Sequence, residues 1–111
     1  MTAALLNEKC QALEKGSPPL DAAAAKSLHK HIPDWQISDD GKQIVREFKH
    51  KDYYHTLAFV NAVAWIAHSE DHHPDLFVTY NRCKITFSTH SVGGLSRNDF
   101  ICAAKIDALN Q

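Results

Sequence analysis

Leu76-Phe77-Val78-Thr79-Tyr80-Asn81-Arg82-Cys83-Lys84-Ile85-Thr86-Phe87-Ser88-Thr89-His90 is the stretch that decides the fold. Branched and aromatic residues alternate with polar ones on both sides of an Asn-Arg pair, the pattern of two strands folded back on each other. With Asn81-Arg82 as a two-residue turn, Tyr80 faces Cys83, Val78 faces Ile85 and Leu76 faces Phe87, and all six share one side. The other side carries Phe77, Thr79, Lys84, Thr86, Ser88 and His90, a largely polar surface fit for solvent or ligand. A hairpin with one apolar face needs a covering layer.

The segments on either side supply it. Asp52 is placed to cap a helix from Tyr53 to about Ser69, rich in Leu57, Phe59, Val60, Val63, Trp65 and Ile66. That helix is apolar nearly all round. One stripe covers a sheet, so the remainder predicts a second partner surface, and a homo-oligomeric contact is the preferred reading. The alternative is that Ala58, Ala62, Ala64 and Ala67 exaggerate its hydrophobicity.

Upstream, Ile44 to about Lys49 reads as a strand in which Arg46 shares a face with Ile44 and Phe48, so a side-chain pairing or an exposed end must accommodate it. Asp39-Asp40-Gly41-Lys42 is a turn, Trp35-Gln36-Ile37 a strand, and Ala22 to about His31 a helix capped by Asp21 and stopped before Pro33. Downstream, Gly93-Gly94 closes the hairpin unit and Ser96 caps a last helix through about Leu109. Residues 5–15 predict a short peripheral helix ended by Gly16-Ser17-Pro18-Pro19. The expected fold is α+β: a four-stranded antiparallel sheet with three helices packed on one face, plus a short N-terminal helical arm. The expected boundaries are an arm at 1–18 and a single domain at 19–111.

A chain of 111 residues, 44% hydrophobic and 23% charged, has room for one modest core and the composition of a globular domain. Twelve Lys and Arg against 13 Asp and Glu produce no field that would gather phosphates or anionic lipids, so nucleic acid and membrane are not expected partners. No apolar run reaches the roughly 18 residues of a membrane span, and Met1-Thr2-Ala3-Ala4-Leu5-Leu6-Asn7-Glu8 lacks the basic start of a secretion signal. A cytoplasmic location is expected. Cys10, Cys83 and Cys102 are odd in number and show no CxxC spacing, which predicts reduced structural thiols.

The chemistry concentrates in Glu70-Asp71-His72-His73-Pro74, Ser88-Thr89-His90 and Asp99. Imidazole both gives and takes a proton near neutral pH, so His72, His73 and His90 beside a carboxylate predict acid–base work. Pro74 biases His73 toward extended backbone, which lets the two neighbouring rings project differently. His29, His31, His50 and His55 read as surface or structural residues. Metal is the rival: His68 and His72 are spaced i, i+4, yet no glutamate follows the first as in metalloprotease helices, and no metal is expected. A serine or cysteine nucleophile is weaker still, since no GxSxG occurs.

His72-His73-Pro74, Tyr80, Ser88-Thr89-His90 and Gly94-Leu95-Ser96 ending on Asp99 closely resemble the pterin-4a-carbinolamine dehydratase family. The likeness runs from about Trp35 to Leu109 and includes Arg46-Glu47-Phe48-Lys49 and Asn98-Asp99-Phe100-Ile101. It implies a lyase that removes water from 4a-hydroxytetrahydrobiopterin to give quinonoid dihydrobiopterin, so that aromatic amino acid hydroxylases can reuse the pterin. The pterin is the substrate, and no cofactor is implied. Within the resemblance, His72 and His90 match the acid–base histidines, His73 matches the ring that places the pterin, and Asp99 matches the acidic residue closing the motif. Trp35 and Pro74 match residues beside the pocket, and Thr89, His90, Ser91 and Val92 match a backbone contact segment.

The resemblance also implies homodimers joined at sheet edges and homotetramers bundled through the central helix, with a hydroxylase as a conceivable protein partner. One departure stands out: His68 occupies the position where animal members have glutamate, so that residue's contact is not carried over. The competing function from another class is a non-enzymatic dimerisation or stabilising partner acting through the apolar helix 53–69.

Overall fold

The computed structural model describes residues 5–109. Met1–Ala4, part of the segment read for a secretion signal, and the last two residues of the expected domain lie outside them. The elements are α1 (Ala22–His29), β1 (Gln36–Ile37), β2 (Ile44–Lys49), α2 (Tyr53–Glu70), β3 (Asp75–Val78), β4 (Arg82–Phe87), a 3-10 turn (His90–Val92) and α3 (Arg97–Leu109). The strands form one antiparallel sheet in the order β1-β2-β4-β3. Ile44, Phe48, Cys83, Ile85 and Phe87 of the sheet meet Val63 of α2 and Phe100, Ile101 and Ile106 of α3 in a single core. The expected α+β architecture is the observed one.

Caps fall where short polar side chains can satisfy the first free N–H groups of a helix. Asp21 accepts from Ala24 N–H at 2.8 Å and Asp52 from His55 N–H at 2.9 Å. Arg46 reaches past the sheet to Asp107 at 2.7 Å and lies over the Phe48 ring at 4.2 Å, so a charge on an apolar strand face is paired and stacked. Burial pushes the Asp107 carboxyl up, against hydrogen bonds from the Trp35 indole and the attraction of Arg46.

The hairpin register differs from the expectation by two residues. Val78 pairs with Cys83 and Leu76 with Ile85, and Thr79 N–H donates to the Arg82 carbonyl, so Tyr80-Asn81 makes the turn. Tertiary partners hold it there: Thr56 Oγ1 donates to the Tyr80 carbonyl and His50 N–H to that of Asn81. A shift of two keeps every side chain on its face, because strand periodicity is two.

The arm also differs. Among the described residues it is helical only at Leu5 and Leu6, and from Lys9 to Glu14 it runs without secondary structure. Side chains of the domain take the backbone bonds a helix would have used: Cys10 N–H goes to Glu70 Oε1 at 2.8 Å and Gln11 N–H to Asn98 Oδ1 at 3.0 Å. Nor is the arm peripheral. Leu5 is 1% exposed within the core.

α2 confirms the two-sided apolar reading. Val63 is buried and Phe59, Val60 and Ile66 pack against the core, while Trp65 stays 69% and Tyr54 77% exposed. Ala58 and Ala64 are exposed on the helix as well, so small and large apolar side chains share its outer face.

Candidate active site

α2 ends in a way that throws His72 off the helix. Asp71 adopts the left-handed conformation (φ 51°), its N–H bonds the His68 carbonyl, and His72 N–H bonds the Ala67 carbonyl at 3.1 Å. This is a Schellman closure with aspartate where glycine is usual. It also ends the helical spacing that would set His68 and His72 on one face. His68 instead packs beside Trp65, and among the described residues no three His, Cys, Asp or Glu gather as metal ligands.

The His72 ring lies parallel to Phe87 at 5.6 Å, and its Nε2 meets Asp99 Oδ1 at 2.6 Å. Asp99 is fully buried, and its second oxygen accepts from Thr89 Oγ1 at 2.8 Å and Ser96 N–H at 2.9 Å. Thr89 and Ser96 hydroxyls join at 2.7 Å. Ser96 therefore precedes α3 as expected, but the cap bond runs from its N–H to the Asp99 carboxylate, one arm of a capping box. A carboxylate can only accept, so Nε2 carries a proton, and in the neutral ring Nδ1 presents a lone pair. The ring is 12% exposed, enough for a ligand to reach one edge.

Beside His72 is a cleft of about 190 Å³ lined by Glu70, Asp71, Thr89, Ser91 and Asn98, with arm residues 10–13 on its far side. Of the other residues singled out from sequence, Thr89 and Ser91 line this cleft, whereas Val92 is buried and borders a different hollow, with Leu20 and Ile101. The segment 89–92 is not a strand end: β4 stops at Phe87, Thr89 bridges Gly94, and His90–Val92 form a 3-10 turn closed by Gly93 at φ 68°. His90 is exposed and lines a neighbouring polar hollow with Lys42, Ser88 and Gly94, and Thr89 belongs to both hollows. His73 is exposed and Pro74 half-buried at the start of β3. No hydrogen bond joins the three rings among the described residues.

Trp35 sits in the core, 1% exposed, with its indole N–H on Asp107 at 2.8 Å. It backs Phe87 at 6.0 Å, and Phe87 in turn backs His72. Glu70 and Asn98 of the cleft received no role from sequence. Glu70 closes α2 with its side chain 4% exposed; burial pushes its carboxyl up, but the Cys10 N–H and the Lys105 and Lys9 ammoniums prevail and hold it below the ordinary value. Its burial depends on groups 60 and 35 positions away in sequence, which no local pattern displays.

A family model described as pterin 4 alpha carbinolamine dehydratase matches residues 18–109. The chain belongs to this family. A Nitrosomonas eutropha protein carrying that name provisionally is 53% identical over 106 residues, covering 95% of this chain and 92% of its own. A Stenotrophomonas maltophilia protein with the same provisional name is 52% identical over 107 residues, covering 96% and 92%. Among solved structures, a transcriptional coactivator/pterin dehydratase from Brucella melitensis superposes with a TM-score of 0.80 at 32% identity, over 84% of this chain and 99% of that one. A pterin dehydratase-like RuBisCO assembly factor of the alpha-carboxysome shares the fold, with a TM-score of 0.60 at 22% identity over 68% of this chain and 88% of its own.

Proposed function

We propose that this family member dehydrates 4a-hydroxytetrahydrobiopterin in the cytoplasm, returning quinonoid dihydrobiopterin for reduction and reuse by aromatic amino acid hydroxylases. The observation that carries the reading is the buried Asp99, which with Thr89 and Ser96 fixes the His72 tautomer and leaves Nδ1 able to accept a proton. With the substrate spanning the His72 cleft and the neighbouring hollow that shares Thr89 with it, His72 takes the N5 proton while His90 donates one to the departing 4a-hydroxyl. The C4a–O bond breaks, a C4a=N5 bond forms and water leaves. Nothing is oxidised or reduced, so the step calls for no redox cofactor. His73, exposed just before β3, and Pro74 steady the ring system.

The testing experiment compares dehydration of freshly generated carbinolamine with its spontaneous rate. Acceleration that His72→Ala abolishes, with the circular dichroism melt intact, supports the assignment. No acceleration by the intact chain rejects it.

Exposed apolar surface favours a second, compatible property. β3 is an edge strand with Phe77 67% exposed, and α2 displays Tyr54 and Trp65. Unpaired edges and large apolar faces are sites of association, which supports a homodimer or homotetramer.

A further inference from the structure

The arm lies outside the 18–109 family match, yet Cys10, Gln11, Ala12 and Leu13 complete the wall of the cleft that His72 enters. Residues of the cleft itself hold it there. Glu70 Oε1 accepts from Cys10 N–H at 2.8 Å. Asn98 makes two bonds to Gln11, accepting from its N–H at 3.0 Å and donating to its carbonyl at 2.8 Å. The Ser91 carbonyl accepts from Gly16 N–H at 2.7 Å, and Arg97 grips Glu8 through two bonds of 2.6 Å. The arm backbone is thus pinned by Glu70, Asn98 and Ser91, which line the cleft, and the Glu8 side chain by Arg97 outside it.

Between those pins, Ala12 is exposed and Leu13 is 39% exposed, so neither side chain is spent on the core. Leu13 also borders a second hollow, of about 310 Å³, which shares Gln11 and Asn98 with the first. A fixed backbone that carries uncommitted side chains into a cleft is the arrangement by which a pocket sets the size and shape of what enters it.

We propose that arm residues 10–13 are the specificity wall of the His72 cleft, with Ala12 the position whose small side chain leaves room for the bound pterin. This rests on the pterin reading above. The arm touches no reacting atom. Its part is to limit the size of the ring system that fits beside His72.

The test uses the full chain carrying Ala12→Trp, with Leu13→Trp as a second variant and Ala23→Trp, on the exposed surface of α1, as the control. Binding of 7,8-dihydrobiopterin is followed by titration calorimetry, with kcat and KM measured in parallel. Expected are at least tenfold weaker binding and a raised KM for Ala12→Trp, with kcat within threefold of the unaltered chain, an unshifted melt, and no effect of Ala23→Trp. Equal binding by both arm variants and the unaltered chain overturns the proposal, as does absence of binding by the unaltered chain. A chain that binds the pterin but does not accelerate dehydration, with binding still lost in Ala12→Trp, sinks the enzyme reading and upholds the wall.

Discussion

Asp99→Asn changes one atom of the network and reverses what His72 can do. Two donors, Thr89 Oγ1 and Ser96 N–H, share Oδ2, so the asparagine carbonyl stays there and its NH2 replaces Oδ1 at 2.6 Å from His72 Nε2. An amide NH2 cannot accept, so Nε2 must, and the proton moves to Nδ1. The ring then meets the substrate as a donor where a base is needed. Loss of a positioned base costs about 10²- to 10⁴-fold in rate, roughly 3 to 5 kcal/mol of barrier.

Stability should change less. The hydrogen-bond count is kept and only charge assistance is lost, a cost of about 1 to 2 kcal/mol. The assay pairs single-turnover dehydration with ¹⁵N NMR of the His72 ring, which reports the protonated nitrogen directly. Near-normal kcat in a variant whose proton has moved to Nδ1 would refute the assignment of His72 as base. An Nδ1–H tautomer in the unaltered chain would refute the geometry behind it.

Among the described residues His50 Nε2 is buried without a hydrogen-bond partner, and burial, helped by nearby His55, holds the His50 ring below its ordinary pKa. The unfolded chain therefore binds a proton the fold resists, so His50 contributes stability above about pH 6.5 that falls away as pH drops. His50→Phe should flatten that acid slope in urea melts at pH 7 and pH 5; an unchanged slope removes the explanation. Asp107→Ala strands the Trp35 indole N–H and leaves Arg46 only the 3.8 Å pairing with exposed Asp34; it should cost about 3 kcal/mol in denaturant titration, whereas a loss under 1 kcal/mol would mean solvent and Asp34 replace the carboxylate freely. Asp71→Gly should stabilise by about 1 kcal/mol by relieving the left-handed backbone, and a lower melting temperature would show that the aspartate side chain outweighs the strain. Trp65→Lys and Phe77→Lys should each lower the mass seen by light scattering; two unchanged masses would place the interface elsewhere.

Sequence alone determined the four strands, the three helices from 22 onward and the buried faces of β2 and β4. The period of two across 76–87 and the caps at Asp21 and Asp52 are local properties, written in residues a few positions apart, and the structure keeps them. The motif from His72 to Asp99 was legible because the chemistry depends on residue type. Register, arm and site wall were decided by partners remote in sequence: Thr56 and His50 fix the hairpin turn, and Glu70 and Asn98 draw Cys10 and Gln11 out of a helix. A backbone amide bonds equally well to a carbonyl four residues back or a side chain sixty to ninety residues on. Only the packed chain shows which of the two lies within reach.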